Sequence, residues 1–295
     1  MPTSNPDLDG VACAIGYAEL LDARAWLPGQ MDAEAQYVYD VCNAPLLATG
    51  EDVAACHRFV LVDGSSLAGF PETIAPRDVV EVIDHRAHHR ASIDFPRAAV
   101  DIEPVGAAAT LIAERFRCAS RTPSPQSIVL LYAAVMSNTQ SLLGSVTTSR
   151  DREAAQELLD TGHIPPGLVA GQFAARRAAI VADLRTALLR EHKHFEDPQG
   201  PYVVTQLELT DTSDLLHDHE SQLRETLGEL GERTMLNVVN PSSGSSVLFI
   251  ADEAFRAEVS LRLGIQFDGT SASFDRAVLR KQIVAKLAGA SWSGR

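Results

Sequence analysis

The sequence predicts an α/β protein in two parts: an N-terminal doubly wound domain on a parallel sheet, and a smaller C-terminal domain with a mixed α/β sheet. Three observations predict it. Short β-branched runs alternate with helical patterns through the first half. A long helical stretch follows, and after Pro201 the alternation restarts. The length of 295 residues also exceeds what one small core needs. The boundaries read as 1–165 for the first domain, 166–193 for a helical linker and 194–295 for the second domain.

The elements follow in order. Residues 10–24 (GVACAIGYAELLDAR) place Val11, Ile15 and Ala18 at helical spacing. Residues 58–62 (RFVLV) and 79–83 (VVEVI) are continuous apolar runs, the pattern of parallel strands covered on both faces. A strand-like 98–102 precedes a helix over 106–116. Residues 127–143 read as one long apolar helix, entered through Thr122-Pro123-Ser124-Pro125. A helix over 151–159 is broken by Thr161-Gly162-His163 and Pro165-Pro166. The stretch 167–193 reads as helical. In the second domain the pattern predicts a strand over 202–209 and a helix over 213–230 with Ser213 as its cap. Strands over 234–239 and 246–251, joined through Pro241-Ser242-Ser243-Gly244, and a helix over 253–263 complete it.

Composition narrows the function. With 45% hydrophobic and 22% charged residues, the chain is an ordinary globular sequence rather than a disordered or fibrous one. No apolar run approaches the roughly 20 residues of a membrane span, and no secretory leader is visible. A soluble, cytoplasmic protein is expected. The net charge of −14, from 25 Lys+Arg against 39 Asp+Glu, disfavours nucleic acid and anionic membrane as partners. Four scattered cysteines, Cys13, Cys42, Cys56 and Cys118, form no CxxC pair and read as buried reduced thiols.

The informative feature is where the acids fall. Asp63 follows RFVLV directly, and Asp84 and His85 follow VVEVI directly. Asp7 and Asp9 sit where a helix opens at Gly10. Open α/β sheets bind ligands beyond the carboxyl ends of their strands, so five candidate ligands converge on one edge. Taken singly, each has an ordinary structural reading: Asp9 as a helix cap, Asp7 in the Asn5-Pro6 turn. Together, carboxylates plus imidazole without thiolate suit a hard or borderline ion such as Mn²⁺ or Mg²⁺. Asp63, with two oxygens, suits a bridge between two ions.

These motifs resemble the DHH phosphoesterase superfamily. The resemblance is carried by Asn5-Pro6-Asp7-Leu8-Asp9-Gly10, Leu61-Val62-Asp63, Ile83-Asp84-His85-Arg86 and the run from Glu103 to Thr110 (EPVGAAAT), in the family's order. Ser137-Asn138-Thr139 resembles the Ser-Asp-Thr segment of manganese-dependent (family II) inorganic pyrophosphatases. Leu279-Arg280-Lys281-Gln282 resembles the substrate clamp of their DHHA2 domain. The resemblance implies a site in the cleft between the domains, with Asp7, Asp9, Asp63, His85 and Asn138 holding two ions, Mn²⁺ or alternatively Mg²⁺ or Co²⁺. Asp63, Asp84, His85 and Arg86 become the catalytic candidates. Arg280 and Lys281 would hold a phosphorylated anion, joined by the helix opening at Gly106 and Thr110, where backbone N–H groups can approach an anion.

The implied activity is metal-dependent hydrolysis of phosphoanhydride bonds in pyrophosphate, polyphosphate or a nucleotide, with room for a homodimer. The departures qualify it. Thr3 stands where the pyrophosphatases have His, Arg86 replaces the last His of Asp-His-His, and Asn138 replaces a carboxylate. His88 and His89 lie close enough to compensate but read as loop residues. The strand that leads into the first motif has no room in Met1-Pro2-Thr3-Ser4, so either the chain start is truncated or the sheet lacks a strand. A weakened or inactive member that binds a nucleotide or a protein partner is therefore the alternative. A DHH exonuclease is disfavoured because its Gly-Gly-Gly-His signature is missing.

Overall fold

The computed structural model describes residues 6–67, 72, 74–86, 91–210 and 212–289. Thr3, Asn5, His88 and His89 lie outside them. Two compact units divide the chain, Met1–Ala175 and Arg176–Arg295. The boundary falls inside a helix.

The first unit runs α1 (Leu8–Leu21), α2 (Ala33–Val41), α3 (Gly50–Ala54), β1 (Phe59–Val62), β2 (Val79–Asp84), α4 (Ala91–Asp94), β3 (Ala99–Ile102), α5 (Ala108–Cys118), α6 (Pro125–Asn138) and α7 (Ser149–Asp160). The helix α8 (Leu168–Ala182) crosses into the second unit. The three strands form one parallel sheet in the order β1-β2-β3. Val62 pairs with Ile83, and Asp84 with Ile102. A parallel sheet in this register brings the ends of its strands to one edge, which puts Asp63, Asp84 and Ile102 side by side, with His85 and Glu103 just beyond.

The core of this unit joins α1, α5 and α6 through Val11, Ile15, Ile112, Leu130 and Leu131, all buried. Gly16 makes the approach possible, because a Cβ there would stand only 3.3 Å from Leu131. The predicted helix over 127–143 is shorter than expected. It starts at Pro125 behind the Ser124 cap and stops at Asn138. Gln140, Ser141 and Leu142 all take left-handed φ values, 52°, 57° and 63°, which no α-helix continues. Thr139 secures that turn by donating its hydroxyl to the Val135 carbonyl and accepting from the Leu142 N–H.

The second unit adds α9 (Leu184–Arg190), β4 (His192–Phe195), β5 (Tyr202–Glu208), α10 (Thr212–Asp218), α11 (Glu220–Glu229), β6 (Thr234–Asn240), β7 (Ser245–Phe249), α12 (Glu253–Leu263), β8 (Ser271–Phe274) and α13 (Arg280–Leu287). Its sheet is mixed, in the order β4-β5-β6-β7-β8 with only β5 and β6 parallel. Alternate residues feed two cores, as the period of a strand requires. Tyr202, Val204 and Met235 pack with Phe255 and Ile283, while Leu207, Leu236 and Val238 pack with Leu184 and Leu223. The predicted helix over 213–230 is two helices that break at His219, and the first begins at Thr212, ahead of the expected cap. Among the described residues no helix is long and apolar enough to cross a membrane.

Candidate metal centre

The site begins with α1. Asp7 caps the helix, its Oδ1 accepting from the Gly10 N–H at 3.0 Å, and its carboxylate faces solvent. Asp9, one turn-position further, is fully buried. A buried carboxylate needs donors, and four reach it. The N–H groups of Ala108 and Ala109, the first two residues of α5, lie 2.8 Å from its Oδ2 and Oδ1. Asn138 Nδ2 donates to Oδ2 at 2.6 Å, and the Cys13 thiol stands 3.5 Å from Oδ1. The positive ends of two helices, α1 and α5, thus meet at one side chain.

The sheet edge supplies the rest. Asp63 follows β1 with its N–H on the Ile83 carbonyl and takes the left-handed region at φ 50°. His85 follows β2, and its Nδ1 lies 3.1 Å from the Val105 carbonyl. A carbonyl can only accept, so Nδ1 carries the proton in the neutral ring and Nε2 keeps a bare lone pair. That Nε2 lies 3.5 Å from Asp63 Oδ1 and 3.9 Å from Asp9 Oδ2. One ligand atom each from Asp9, Asp63 and His85 falls within 4.8 Å of the others.

The electrostatics call for a cation. Burial, opposed by His85 and reinforced by Asp7, raises the Asp9 carboxyl above its ordinary range. Burial, then Asp9 and then Asp7, push Asp63 well above its own, against the pull of Arg86. Two carboxylates and an imidazole lone pair converge there, and the Arg86 guanidinium meets one of the two carboxylates. The donor set therefore fits a divalent ion such as Mn²⁺, with the His85 second nitrogen anchored on a carbonyl as in most metal-bound histidines.

The other sequence candidates fall in different places. Asp84 Oδ1 accepts from the N–H groups of His85 and Arg86 at 2.8 and 3.2 Å, so it shapes the turn that presents them. The Arg86 guanidinium donates to both the main-chain and the carboxylate oxygen of Asp63. Asp7 stays outside the three-residue group. Asn138 turns its amide N–H, rather than its carbonyl, to Asp9. The Gly106 N–H and the Thr110 hydroxyl, expected to meet substrate, are both taken by the buried Asp151 carboxylate. Arg280 and Lys281 open α13 in the second unit. The Arg280 guanidinium donates to the Glu191 and Val204 carbonyls, and Lys281 is exposed.

Two supporting residues went unread in the sequence. Asp151 also accepts from the N–H and hydroxyl of Thr148, and so ties α7 to the Gly106 turn. No side chain fits at Gly106, since a Cβ would lie 2.6 Å from Thr139 Cγ2 and 2.9 Å from Asp151 Oδ2. The signal was present: Thr148 and Asp151 are spaced as a capping box, which both complete. Cys13 is the other, one helical turn below Asp9, where i and i+4 share a face.

No family model matches the chain. A Staphylococcus aureus protein named "Probable manganese-dependent inorganic pyrophosphatase" is 26% identical over 302 aligned positions, covering 96% of this chain and 95% of that protein. A crystal structure from Methanococcus jannaschii, by its name a family II inorganic pyrophosphatase, superposes with a TM-score of 0.62 at 20% identity, over 96% of this chain and 95% of the other. An exopolyphosphatase-related protein from Bacteroides fragilis superposes with a TM-score of 0.51 at 13% identity, over 96% and 88%. Over nearly its whole length the chain is thus similar in sequence to a protein named for manganese-dependent inorganic pyrophosphatase activity, and in fold to structures named for a family II inorganic pyrophosphatase and an exopolyphosphatase-related protein.

Proposed function

We propose that this protein is a phosphohydrolase that cleaves a phosphoanhydride bond in a small phosphorylated anion, pyrophosphate or a short polyphosphate, with a divalent cation held by Asp9, Asp63 and His85. One observation carries the reading: those three side chains bring their ligand atoms within 4.8 Å of one another at the sheet edge. The similarity to a protein named as a manganese-dependent pyrophosphatase supports this substrate class and Mn²⁺ ahead of Mg²⁺ or Co²⁺. A divalent ion in such a site polarises a phosphoryl oxygen and brings the pKa of water towards neutrality.

The chain's own residues do the remaining work. Asp9 is immobilised by the Ala108 and Ala109 N–H groups, so its oxygens keep one orientation. The Val105 carbonyl holds the His85 ring with Nε2 inward. Arg86, with its side chain 58% exposed, can present free N–H groups to a phosphate oxygen while anchored on Asp63. It stays protonated, so it stabilises charge and moves no proton. Arg280 and Lys281 are proposed as phosphate contacts of the second unit, with Lys281 the more available of the two. The neutral amide at Asn138 supports a second reading, in which the site binds a phosphorylated ligand but turns it over slowly.

Phosphate release is to be measured from pyrophosphate, tripolyphosphate, long polyphosphate and nucleotides, each with Mn²⁺, Mg²⁺ and Co²⁺. Mn²⁺-stimulated release that disappears in Asp63→Ala and on chelation is expected. Equal rates in the wild type and Asp63→Ala would remove the proposal. Mn²⁺ binding without release from any substrate would leave the binding reading in its place.

A further inference from the structure

Asp63 already has one cation in contact with it, and the chain itself provides it. Its Oδ1 is the oxygen that lies 3.5 Å from His85 Nε2, within the three-residue group. The same oxygen accepts from the Arg86 guanidinium, whose Nη2 also donates to the Asp63 main-chain carbonyl at 3.1 Å. The left-handed φ of 50° at Asp63 accompanies this double engagement of one nitrogen. On the far side, Arg86 Nε stands 3.6 Å from Asp84 Oδ1. The guanidinium is therefore seated between two carboxylates that are themselves nearly fully buried.

We propose that Arg86 serves as a built-in second cation, so that this chain binds a single divalent ion, at Asp9, Asp63 and His85, where the sequence resemblance implies two. The inference rests on the metal reading above and deepens it. The ligand supply agrees. Asp9, Asp63 and His85 are a sufficient protein set for one ion that completes its shell with water. A second ion would have to draw on Asp63, which already carries the guanidinium, and on Asp7, whose carboxylate caps α1 outside the group. Asn138 adds no charge and gives its N–H to Asp9. A second divalent ion on Asp63 would also face the fixed positive charge of Arg86 at close range.

The test loads the purified full-length chain with Mn²⁺, removes excess ion, and reads metal content together with the low-temperature electron paramagnetic resonance spectrum. The wild type is expected to hold about one Mn²⁺ per chain with the six-line pattern of an isolated ion. Arg86→Ala is expected to hold about two, with the six lines broadened by coupling between neighbouring ions, and Arg86→Lys about one. Two coupled ions in the wild type would overturn the inference while leaving the metal reading intact. Arg86→Ala remaining at one ion would overturn it as well. A wild type that binds no Mn²⁺ would overturn the metal reading, and this inference with it. Should Arg86→Ala lose its fold by circular dichroism, the wild-type stoichiometry and spectrum decide alone.

Discussion

Each unit of the molecule gathers charged groups, and the two do so with opposite logic. In the first, Asp9 and Asp63 lie against each other with Asp7 nearby; burial raises both carboxyls, joined by Asp7 at Asp9 and by Asp9 and Asp7 at Asp63. In the second, Asp197 and Glu258 meet arginines. Arg262 donates to both, at 2.6 and 2.7 Å, and Arg233 donates to Glu258 as well. Arg262 and the Gln199 N–H hold Asp197 below its usual range, and Arg233 with Arg262 does the same for Glu258. The second network meets each of its carboxylates with arginine. The first is incomplete without a cation. An acidic cluster thus points to chemistry when its carboxylates face one another, as Asp9 and Asp63 do even with Arg86 on one of them, and to structure when each carboxylate meets arginine instead.

The sharpest way to break this contrast is to neutralise one member of each cluster. Asp9→Asn should cost about 10³-fold in phosphate release, the scale of removing a charged group at a preorganised site. Its stability should fall by only about 1 kcal/mol net: the amide turns an N–H towards the buried Ala108 or Ala109 N–H and leaves that donor unpaired, and relief of the repulsion with Asp63 offsets part of the cost. Arg262→Ala should do the reverse. It strips partners from Asp197, Glu258 and the Leu287 carbonyl and should destabilise the chain by about 2 kcal/mol. Activity of the folded protein should fall less than tenfold. Steady-state phosphate release and urea unfolding read the two effects. An inactive but fully stable Arg262→Ala would show that the second cluster is not merely structural.

The sign of pH dependence separates the clusters again. Asp9 and Asp63 have folded pKa values raised above the ordinary 3.8. Their contribution is fully present below that value and is lost as pH rises through the folded values. Asp197 and Glu258 are shifted down from 3.8 and 4.5, so they stabilise above those values and lose that contribution as pH falls through the folded ones. Lowering the pH of metal-free protein from neutral to mildly acidic should therefore tighten the first unit and leave the second unchanged. Stronger acid should loosen the second. Hydrogen exchange of peptides from α1 and α12, corrected for the intrinsic rate, reads each unit separately. Saturating Mn²⁺ should erase the gain in the first unit, because the ion competes with the protons. A gain that persists under Mn²⁺ would mean that other groups produce it.

Much of the first cluster was legible because its signals are local. RFVLV and VVEVI are apolar and β-branched, and the acids that end them had to arrive at one sheet edge once the strands were parallel. What satisfies those acids was not legible. Two of the donors to Asp9, Ala108 and Ala109, lie about a hundred residues away in sequence and give main-chain N–H groups, which carry no residue signature; Asn138 gives its side-chain amide from further still. The same limit hid Asp151 behind the Gly106 turn. In the second unit, β4 (HKHF) and β8 (SASF) are short edge strands with no β-branched residue, so pairing rather than propensity makes them strands. The end of α6 escaped because three non-glycine residues supply the left-handed turn that glycine usually marks.

The smallest change asked of the comparison is a single atom pair at Asn138. Its Nδ2 donates to Asp9 Oδ2 at 2.6 Å, so the side chain now acts as a partial counter-charge to the cluster. Asn138→Asp removes that donor and sets a third carboxylate beside Asp9 in nearly the same volume. Without metal the first unit should lose about 1–2 kcal/mol, since a hydrogen bond becomes a like-charge contact. With metal the sign reverses. The added carboxylate supplies charge and a ligand oxygen, and Mn²⁺ affinity should rise about tenfold, equivalent to about 1.4 kcal/mol. Calorimetric titration with Mn²⁺ and thermal unfolding with and without the ion measure both halves. A variant destabilised equally in the presence and absence of Mn²⁺ would place Asn138 among the packing residues of α6. Opposite signs would place it on the cluster, where charge determines stability and binding together.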